Sequence, residues 1–275
     1  MSGHTGASTA RSFIRWLGGR QREARLISTV APSRFGRYFE PFLGSGALFF
    51  ALGSEGRLRH GAFLSDVNED LILAYRAVRD EPSTLVDHLA DHVYRHTPAY
   101  FRAVRALDRG PDFASMLPIE RAARFIYVTN AAYRNSWRVD QRGRVTSSLD
   151  PASVPDDPSI AELTAACMAL RPAAISRCDF RAALNLVESA DLVFLDPPYL
   201  EPETGRDLGR YAAPHFGWSD RRAVWDHFRR LADIGAYVVL LDRWSDDLVR
   251  ALGRFRIQQR GNSRSDEALV MNWDE

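Results

Sequence analysis

The sequence predicts an α/β fold in which a mostly parallel sheet carries an antiparallel edge hairpin and a helical insertion. Short apolar runs alternate with amphipathic segments in residues 1–81, and the alternation returns in residues 172–275. This alternation is typical of parallel strands joined by crossover helices. The segment 82–171 between them begins with apolar residues at helical spacing and no evident strand, which predicts an insertion.

The first part of the chain contains two strand–helix units. RYFEPF (37–42) is short, aromatic and bounded by turns, as buried strands are. GSG (44–46) follows as a turn before the helical run ALFFAL (47–52). AFLSD (62–66) is predicted as the second strand, and Asn68 is placed to cap the helix after it.

The insertion is predicted to be helical over residues 82–135. A hairpin is expected near residues 137–149, because two short extended runs flank Gly143. The stretch 150–158 is rich in Pro and Asp, which predicts a loop.

After the insertion, the patterns predict strands, one long helix and an edge hairpin. The strands are 173–180, 190–198 and 236–242, the helix is 218–233 with Ser219 as its candidate cap, and the antiparallel hairpin pairs 255–260 with 267–273.

The composition excludes several classes of protein. The 275 residues are 45% hydrophobic and 26% charged, as in soluble globular proteins, and no uninterrupted apolar run is long enough to predict a membrane span. The chain has no lysine, which excludes Schiff-base chemistry and a Walker-type phosphate loop. The chain has only two cysteines, Cys167 and Cys178, which is too few for a disulfide framework or a cysteine-rich zinc site. A reducing, cytoplasmic location is expected.

The arginines are unevenly distributed, although the net charge is only +1. Residues 101–149 carry nine arginines against four acidic residues, and residues 251–264 carry four arginines and no acidic residue. Two basic segments on a neutral protein fit either a positive face for a polyanion or solvated helix faces with internal ion pairs. Charge alone leaves both interpretations open.

DPPY (196–199) is the most specific chemical feature of the sequence. It follows the apolar run ADLVFL, so it lies at the carboxyl end of a predicted parallel strand, where open α/β sheets bind ligands. The prolines remove two backbone donors, while Asp196 adds a carboxylate acceptor and Tyr199 a flat ring. Such a pocket accepts hydrogen bonds from an amino group on a planar ring. Taken alone, the tetrapeptide fits a simple strand-to-turn exit equally well.

FEPFLGSG (39–46) predicts a second part of the site. Gly44 and Gly46 allow the backbone to approach a ligand closely. Asp66, about 20 residues further on, matches the acidic residue that binds ribose hydroxyls in nucleoside sites. Since the pattern is not GxGxxG, a dinucleotide is not indicated. Together these residues predict a bound nucleoside without a long phosphate chain.

Several motifs occur in an order that resembles one known family. They are FIRWLGGR (13–20), YFEPFLGSGALFF (38–50), LSDVNEDLILAYRAVRD (64–80), FIYVTNAAYRNSWRVDQRGR (125–144), VFLDPPY (193–199) and DEALVMNW (266–273). With them, the sequence resembles the Dam-type, or D12 class, of DNA adenine-N6 methyltransferases over most of its length. The first motif is similar to that family's box F-x-K-W-x-G-G-K.

The resemblance implies a Rossmann-like methyltransferase sheet. Residues 1–81 and 172–275 would form the S-adenosyl-L-methionine-dependent catalytic domain, and residues 82–171 the helical DNA-recognition insertion. The implied reaction transfers a methyl group to the exocyclic N6 amino group of adenine flipped into the DPPY pocket. S-adenosyl-L-homocysteine would be the product, and no metal is expected.

The resemblance also implies roles for individual residues. The expected cofactor-binding residues are Trp16, Arg20, Pro41, Phe42, Gly44, Gly46, Asp66, Asp179, Phe180 and Asp196. The expected catalytic residues are Asp196, Pro197, Pro198 and Tyr199, and the expected DNA-binding residues are Tyr133, Arg134, Asn135 and Arg138. Asp66 would bind the ribose, Asp196 and the Pro197 carbonyl would accept hydrogens from the target amino group, and Tyr199 would stack on the flipped ring.

The sequence departs from the family pattern in three places. Arg20 replaces a lysine, residues 133–138 lack the usual Asn-Gly of the substrate loop, and the loop before DEALVMNW is short. Since the loop geometry changes with the loss of a glycine, no recognition sequence is predicted.

Two other functions remain open at this point. Methyl transfer could act on RNA, single-stranded DNA or the N4 amino group of cytosine, or the chain could be a catalytically silent DNA-binding module. A nicotinamide oxidoreductase is disfavoured by the missing GxGxxG. The expected partners are duplex DNA and a cognate endonuclease or defence-system protein, with no membrane. We expect a monomer, because methylation of one strand at a time needs one pocket.

Overall fold

A seven-stranded sheet forms the centre of the structure, which is a computed structural model. It describes residues 10–16, 20–153, 155, 160–200, 210–213, 215–260 and 267–274. The strands are β1 (Tyr38–Glu40), β2 (Ala62–Asp66), β3 (Ala173–Arg177), β4 (Leu192–Leu195), β5 (Tyr237–Arg243), β6 (Arg256–Arg260) and β7 (Glu267–Met271).

The strand order is β3-β2-β1-β4-β5-β7-β6. Strands β1 to β5 are parallel, whereas β7 runs antiparallel to both β5 and β6. This confirms the predicted mostly parallel sheet with an antiparallel edge hairpin. Because β7 is reversed, its first residue, Glu267, pairs with Arg243 at the carboxyl end of β5.

Helices cover both faces of the sheet. They are α1 (Gln21–Val30), α2 (Ala47–Ser54), α3 (Glu69–Asp80), α4 (Pro82–Tyr94), α5 (Pro98–Arg105), α6 (Pro118–Ala131), α7 (Ile160–Leu170), α8 (Phe180–Leu184), α9 (Trp218–Asp233) and α10 (Asp246–Leu252). Three 3₁₀ turns span Ala106–Arg109, Pro111–Ser115 and Tyr133–Asn135. The sequence patterns did not predict α1 or α10, because α1 buries only Ala24, Ile27 and Ser28, and α10 has seven residues.

The two predicted helix caps have different outcomes. The side chain of Asn68 caps α3 by accepting a hydrogen bond from the Leu71 N–H at 3.2 Å, which confirms the prediction. The prediction of Ser219 is wrong, because the N-cap of α9 is Gly217. Asp220, in the first turn, accepts a hydrogen bond from the Gly217 N–H at 2.9 Å and satisfies that end of the helix instead.

The inserted segment packs directly on the helices of the sheet. One apolar cluster contains Leu48 and Ile72, which lie beside the sheet, together with Phe125 and Trp137 from the insertion. The expected hairpin is reduced to a turn at Gly143, where φ is +77°, and a single bridge between Val139 and Val145. The division into two domains stays a prediction.

Alternating residues of β1 separate the two apolar clusters. Tyr38 faces the cluster of α2, α3 and α6, whereas Phe39 faces the cluster of α8, α9 and α10. The carboxyl ends of β1 to β5 therefore meet along one edge, which both clusters support from opposite sides. In the described part of the chain, no helix is long and apolar enough to cross a membrane.

Candidate active site

A cavity of about 470 Å³ lies at the carboxyl edge of the sheet. This volume falls in the range of about 300–1,000 Å³ that is typical of small-molecule sites. Most of the residues predicted to bind the cofactor or to act in catalysis line it: Trp16, Arg20, Pro41, Phe42, Gly44, Asp66, Asp179, Phe180, Asp196, Pro197, Pro198 and Tyr199. Strands from both halves of the sequence therefore bring the motifs together.

The two glycines of the turn after β1 face different surroundings. Both adopt left-handed backbone, with φ of +45° at Gly44 and +60° at Gly46. A Cβ on Gly44 would lie 3.2 Å from Nε1 of Trp16 in the cavity wall, whereas a Cβ on Gly46 would lie 2.8 Å from the hydroxyl of Tyr75. Gly46 does not line the cavity; it lies against Tyr75 and allows the backbone conformation of the turn.

Asp66 ends β2 and lies in the cavity wall. Its carboxylate accepts a hydrogen bond from the Asn68 N–H at 2.9 Å. Burial raises the pKa of Asp66 to about 6, against the opposing effect of nearby backbone N–H groups. Asp66 is thus ionised at neutral pH and offers a carboxylate to a ligand that brings hydroxyl donors.

Aromatic rings form two parts of the wall. Phe42 and Phe180 lie with their centroids 5.2 Å apart, and Phe216 meets Phe42 edge-on at 6.0 Å. Trp16 stacks on Tyr211 at 5.2 Å, with 28° between the rings. These faces suit a flat, apolar group with polar edges.

Asp179 holds the start of α8 beside Phe180. Its carboxylate accepts a hydrogen bond from the Arg181 N–H at 2.9 Å and pairs with the Arg181 guanidinium at 3.2 Å. Arg181 also reaches Asp220 on α9 at 2.7 Å. Both carboxylates line the cavity, so this ion-pair chain fixes the loop after β3 against α9.

The DPPY segment continues β4 into the cavity. Asp196 receives two hydrogen bonds from Arg20, from Nε at 2.8 Å and from Nη2 at 2.9 Å. Burial raises the pKa of Asp196, and the Arg20 guanidinium counteracts that rise. Each carboxylate oxygen has about two lone pairs, so one acceptor position per oxygen remains for another donor.

Arg20 also joins two other side chains of the cavity. Its Nη1 lies 2.6 Å from Oε1 of Glu267, and its Nη2 lies 2.6 Å from the Tyr199 hydroxyl. The Tyr199 hydroxyl lies 2.8 Å from the same Glu267 oxygen. Burial opposes the charge on Arg20, yet the carboxylate of Asp196 raises the Arg20 pKa above its ordinary value. The guanidinium is therefore permanently charged.

The predicted DNA-binding residues lie outside the cavity. Arg134 and Asn135 both have left-handed backbone, with φ of +57° and +51°. The loop thus adopts without a glycine the conformations that Asn-Gly sequences favour. Tyr133 is 56% exposed, which is high for a ring of its size.

The same loop is tied to the cavity wall. The Val139 N–H donates to the Arg210 carbonyl at 2.8 Å, and the Asn68 side-chain amide donates to the Tyr211 carbonyl at 3.1 Å. Phe125 packs against both Trp16 and Trp137, with centroids 6.0 and 4.5 Å away. Trp137 of the loop is thus separated from Trp16 in the cavity wall by a single ring, that of Phe125.

Two acidic residues of the site, Glu40 and Glu267, were missed by the sequence reasoning. Glu40, at the end of β1, is buried, lines the cavity and accepts a hydrogen bond from Tyr38 at 2.9 Å. Burial raises the pKa of Glu40 to about 8. Tyr211 and Glu267 line the cavity as well. The acidic residues could have been found, since Glu40 lies inside the predicted strand 37–42, Glu267 begins the predicted strand 267–273, and both belong to the six motifs.

Metal ligation finds no support among the residues that the structure describes. No group of three or more His, Cys, Asp or Glu side chains in that part of the chain is arranged to hold a metal ion.

Comparison with known proteins places this geometry in a family context. Residues 16–253 match the family described as D12 class N6 adenine-specific DNA methyltransferase. The type II methyltransferase M1.LlaDCHI of Lactococcus lactis subsp. cremoris is 28% identical over 232 residues, covering 84% of this chain and 80% of that protein. The type II methyltransferase M.MjaIII of Methanocaldococcus jannaschii is 22% identical over 289 residues, covering 96% and 99%. A DNA adenine methylase of Haemophilus influenzae is 25% identical over 222 residues, covering 78% and 73%.

Proposed function

The chain belongs to the D12 class of N6 adenine-specific DNA methyltransferases, and we propose that it methylates adenine flipped out of DNA into the cavity beside Asp196. The observation that carries this proposal is the position of the DPPY segment. A carboxylate acceptor, two donor-free prolines and an aromatic ring stand together at the carboxyl edge of the sheet, in the wall of a cavity of suitable size.

The residues around the cavity fit S-adenosyl-L-methionine. Gly44 leaves open a space that a Cβ would narrow against Trp16, and Asp66 offers a carboxylate to ribose hydroxyls. Phe42 and Phe180 offer ring faces to an adenine. When bound, the cofactor supplies a methyl group that its sulfonium already activates for transfer. The product would be S-adenosyl-L-homocysteine, and the chemistry requires no metal.

The chain's own residues would then prepare the target amino group. The lone pair of the adenine amino nitrogen is delocalised into the ring, which makes it a weak nucleophile. Asp196 and the Pro197 carbonyl accept one hydrogen bond each from the two N–H groups of this nitrogen. They thereby favour a more tetrahedral nitrogen, whose lone pair is localised. The pocket holds this nitrogen in line for attack, so orientation and charge complementarity provide the rate enhancement.

Tyr199 would stack on the flipped base. Extrusion of a base costs a few kcal/mol, which stacking partly offsets. Tyr133, Arg134, Asn135 and Arg138 would contact the DNA around the vacated position, with the arginines binding phosphates or guanine edges. The insertion 82–171 would thereby serve as the DNA-recognition unit, acting on duplex DNA as a monomer in the cytoplasm. A cognate endonuclease or defence-system protein is the partner that fits such an enzyme.

The test is transfer of labelled methyl from S-adenosyl-L-methionine to duplex DNA, with the product nucleoside identified by mass spectrometry. We expect N6-methyladenine from the wild type and its loss in Asp196→Ala. Asp226→Ala, an exposed carboxylate on α9, is the matched control and should remain active.

Other products would change the proposal in defined ways. N4-methylcytosine, or a product only on RNA or single strands, would overturn the duplex-adenine assignment while retaining methyl transfer. Cofactor binding without any product would contradict the proposed catalysis. Failure to bind the cofactor would favour a silent DNA-binding module.

A further inference from the structure

Glu267 reaches the catalytic edge because β7 is reversed. Parallel strands end at that edge, and an antiparallel strand begins there. Glu267 is the first residue of β7 and pairs with Arg243 of β5 on one side and Arg260 of β6 on the other. The topology thus brings a carboxylate from the end of the chain into the cavity that Asp196 also lines.

The hydrogen bonds around Glu267 fix the direction of one proton. Arg20 can only donate, so the Tyr199 hydroxyl accepts from Arg20 Nη2 at 2.6 Å. The single hydroxyl proton of Tyr199 must then point to another acceptor, and Oε1 of Glu267 lies 2.8 Å away. The same oxygen accepts from Arg20 Nη1 at 2.6 Å. The three side chains form a closed ring of hydrogen bonds in which Glu267 is the acceptor for both others.

The charges of the three side chains also couple Glu267 to Asp196. Arg20 is shared by two carboxylates, those of Asp196 and Glu267, whose side chains are 18% and 24% exposed. Although burial opposes its charge, Arg20 lowers the pKa of Glu267 below its ordinary value, so Glu267 is ionised at neutral pH. Burial raises the pKa of Asp196, Arg20 opposes that rise, and the negative charge of Glu267 adds to it, which makes the Asp196 carboxylate a stronger hydrogen-bond acceptor than it would be without Glu267.

We propose that Glu267 is a positioning residue for methyl transfer, which orients the ring of Tyr199 and aims the Arg20 guanidinium at Asp196. This inference rests on the proposed function of the cavity. Glu267 need not touch the target base or the cofactor; it acts through the Tyr199 hydroxyl and through Arg20. Its removal leaves the pocket residues in place but frees the ring that must stack on the flipped base.

The test is a double-mutant cycle of Glu267→Gln and Tyr199→Phe. Gln has the same size as Glu, so packing is retained, and Phe keeps the ring while removing the hydroxyl. Methyl transfer is measured in single turnovers at saturating cofactor and DNA, with the cofactor dissociation constant measured separately by calorimetry. We expect Glu267→Gln to lower the rate about tenfold or more in the wild type and less than about threefold in Tyr199→Phe.

A second readout separates positioning from fold stability. Since Glu267 raises the pKa of Asp196, the acidic limb of the rate–pH profile should move to lower pH in Glu267→Gln. Loss of fold alone would not move it. Glu188→Gln, whose carboxylate is 80% exposed, is the matched control. Glu267→Asp, which keeps the charge but is one methylene shorter, should show the same selective rate loss and replaces Glu267→Gln if that variant does not fold.

The outcomes distinguish this inference from the proposed function. An active wild type with an unchanged rate in Glu267→Gln and Glu267→Asp would overturn the role of Glu267 alone. Equal losses in the wild-type and Tyr199→Phe backgrounds would overturn the orientation of Tyr199 by Glu267, because only the route through Arg20 could then account for them. A wild type that transfers no methyl group to any DNA would overturn the proposed function, and the role of Glu267 with it.

Discussion

The guanidinium of Arg20 forms a two-point ion pair with the carboxylate of Asp196, although the two residues are 176 positions apart in the sequence. The pair connects the N-terminal segment to the strand end that carries DPPY. It opposes the effect of burial on Asp196 and so favours the ionised carboxylate that hydrogen-bond acceptance requires. Removal of the guanidinium should therefore alter the pH dependence of the reaction.

Arg20→Ala should move the acidic limb of the methyl-transfer profile to higher pH. Burial already raises the pKa of Asp196, and the loss of Arg20 removes the main opposing charge. At a given pH, a smaller fraction of Asp196 is then ionised, so the rate loss should be largest on the acidic side of the profile and should lessen as the pH rises. Single-turnover rates at saturating cofactor measure it.

Two variants control the Arg20 experiment. Arg20→Lys keeps the charge but not the two parallel hydrogen bonds, so its profile should lie between those of the wild type and Arg20→Ala. Arg22→Ala, on the exposed face of α1, should behave as the wild type. Superimposable profiles for Arg20→Ala and the wild type, after correction for overall rate, would show that Arg20 does not control Asp196.

Glu40→Gln should flatten the pH dependence of stability on the alkaline side. An unfolded glutamate loses its proton near pH 4.5, whereas folded Glu40 retains its proton up to about pH 8. Between these values the folded protein binds more protons than the unfolded chain, so the free energy of unfolding falls as pH rises. The contribution is fully present below the unfolded pKa and is lost above the folded one.

The Glu40 effect can be measured by urea unfolding between about pH 7 and 8. The release of one proton changes the free energy of unfolding by about 1.4 kcal/mol per pH unit. Over this interval, the free energy of unfolding of the wild type should fall more steeply than that of Glu40→Gln, by a large part of this slope. The interval lies above the pKa of about 6 that burial gives Asp66, so Asp66 contributes little there. Equal slopes in the wild type and the variant would mean that Glu40 ionises normally in the folded protein.

The strands and their order along the chain could be predicted because the apolar runs are short, separated by turns and followed by polar strand ends. DPPY, FEPFLGSG and Asp66 could likewise be placed at one edge, since parallel strands end together. Glu267 could not be linked to Arg20 and Tyr199, because the register of the edge hairpin decides which residue of β7 reaches that edge. The Trp16–Tyr211 stack was equally inaccessible, because it joins segments that only tertiary packing brings together.

Gly46→Ala should destabilise the fold more than an alanine at another left-handed glycine. The new Cβ would meet the Tyr75 hydroxyl at 2.8 Å, and that hydroxyl donates to the Gly44 carbonyl at 3.1 Å. Gly56→Ala is the matched control, because Gly56 has φ of +67° but no atom within 4 Å of the position that an added Cβ would take. Backbone strain of about 1–2 kcal/mol is common to both variants, and the excess in Gly46→Ala measures the contact.

Tyr75→Phe tests the origin of that excess. Removal of the hydroxyl makes room for the Cβ, so Gly46→Ala should cost less in the Tyr75→Phe background than in the wild type. Denaturant unfolding of the four proteins gives the coupling. Identical losses for Gly46→Ala and Gly56→Ala would indicate that the turn relaxes away from Tyr75.

Arg134→Ala and Arg138→Ala should each weaken DNA binding in a salt-dependent way. Both side chains are exposed on the loop that contacts the cavity wall, and the Val139–Arg210 hydrogen bond holds that loop beside the cavity. If each arginine neutralises one phosphate, the slope of log K against log salt concentration should decrease in magnitude by about 0.9 per variant. Arg250→Ala, exposed on α10, controls for net charge and should leave the slope unchanged. A weaker affinity with the wild-type slope and reduced discrimination between sequences would instead assign that arginine to a base edge.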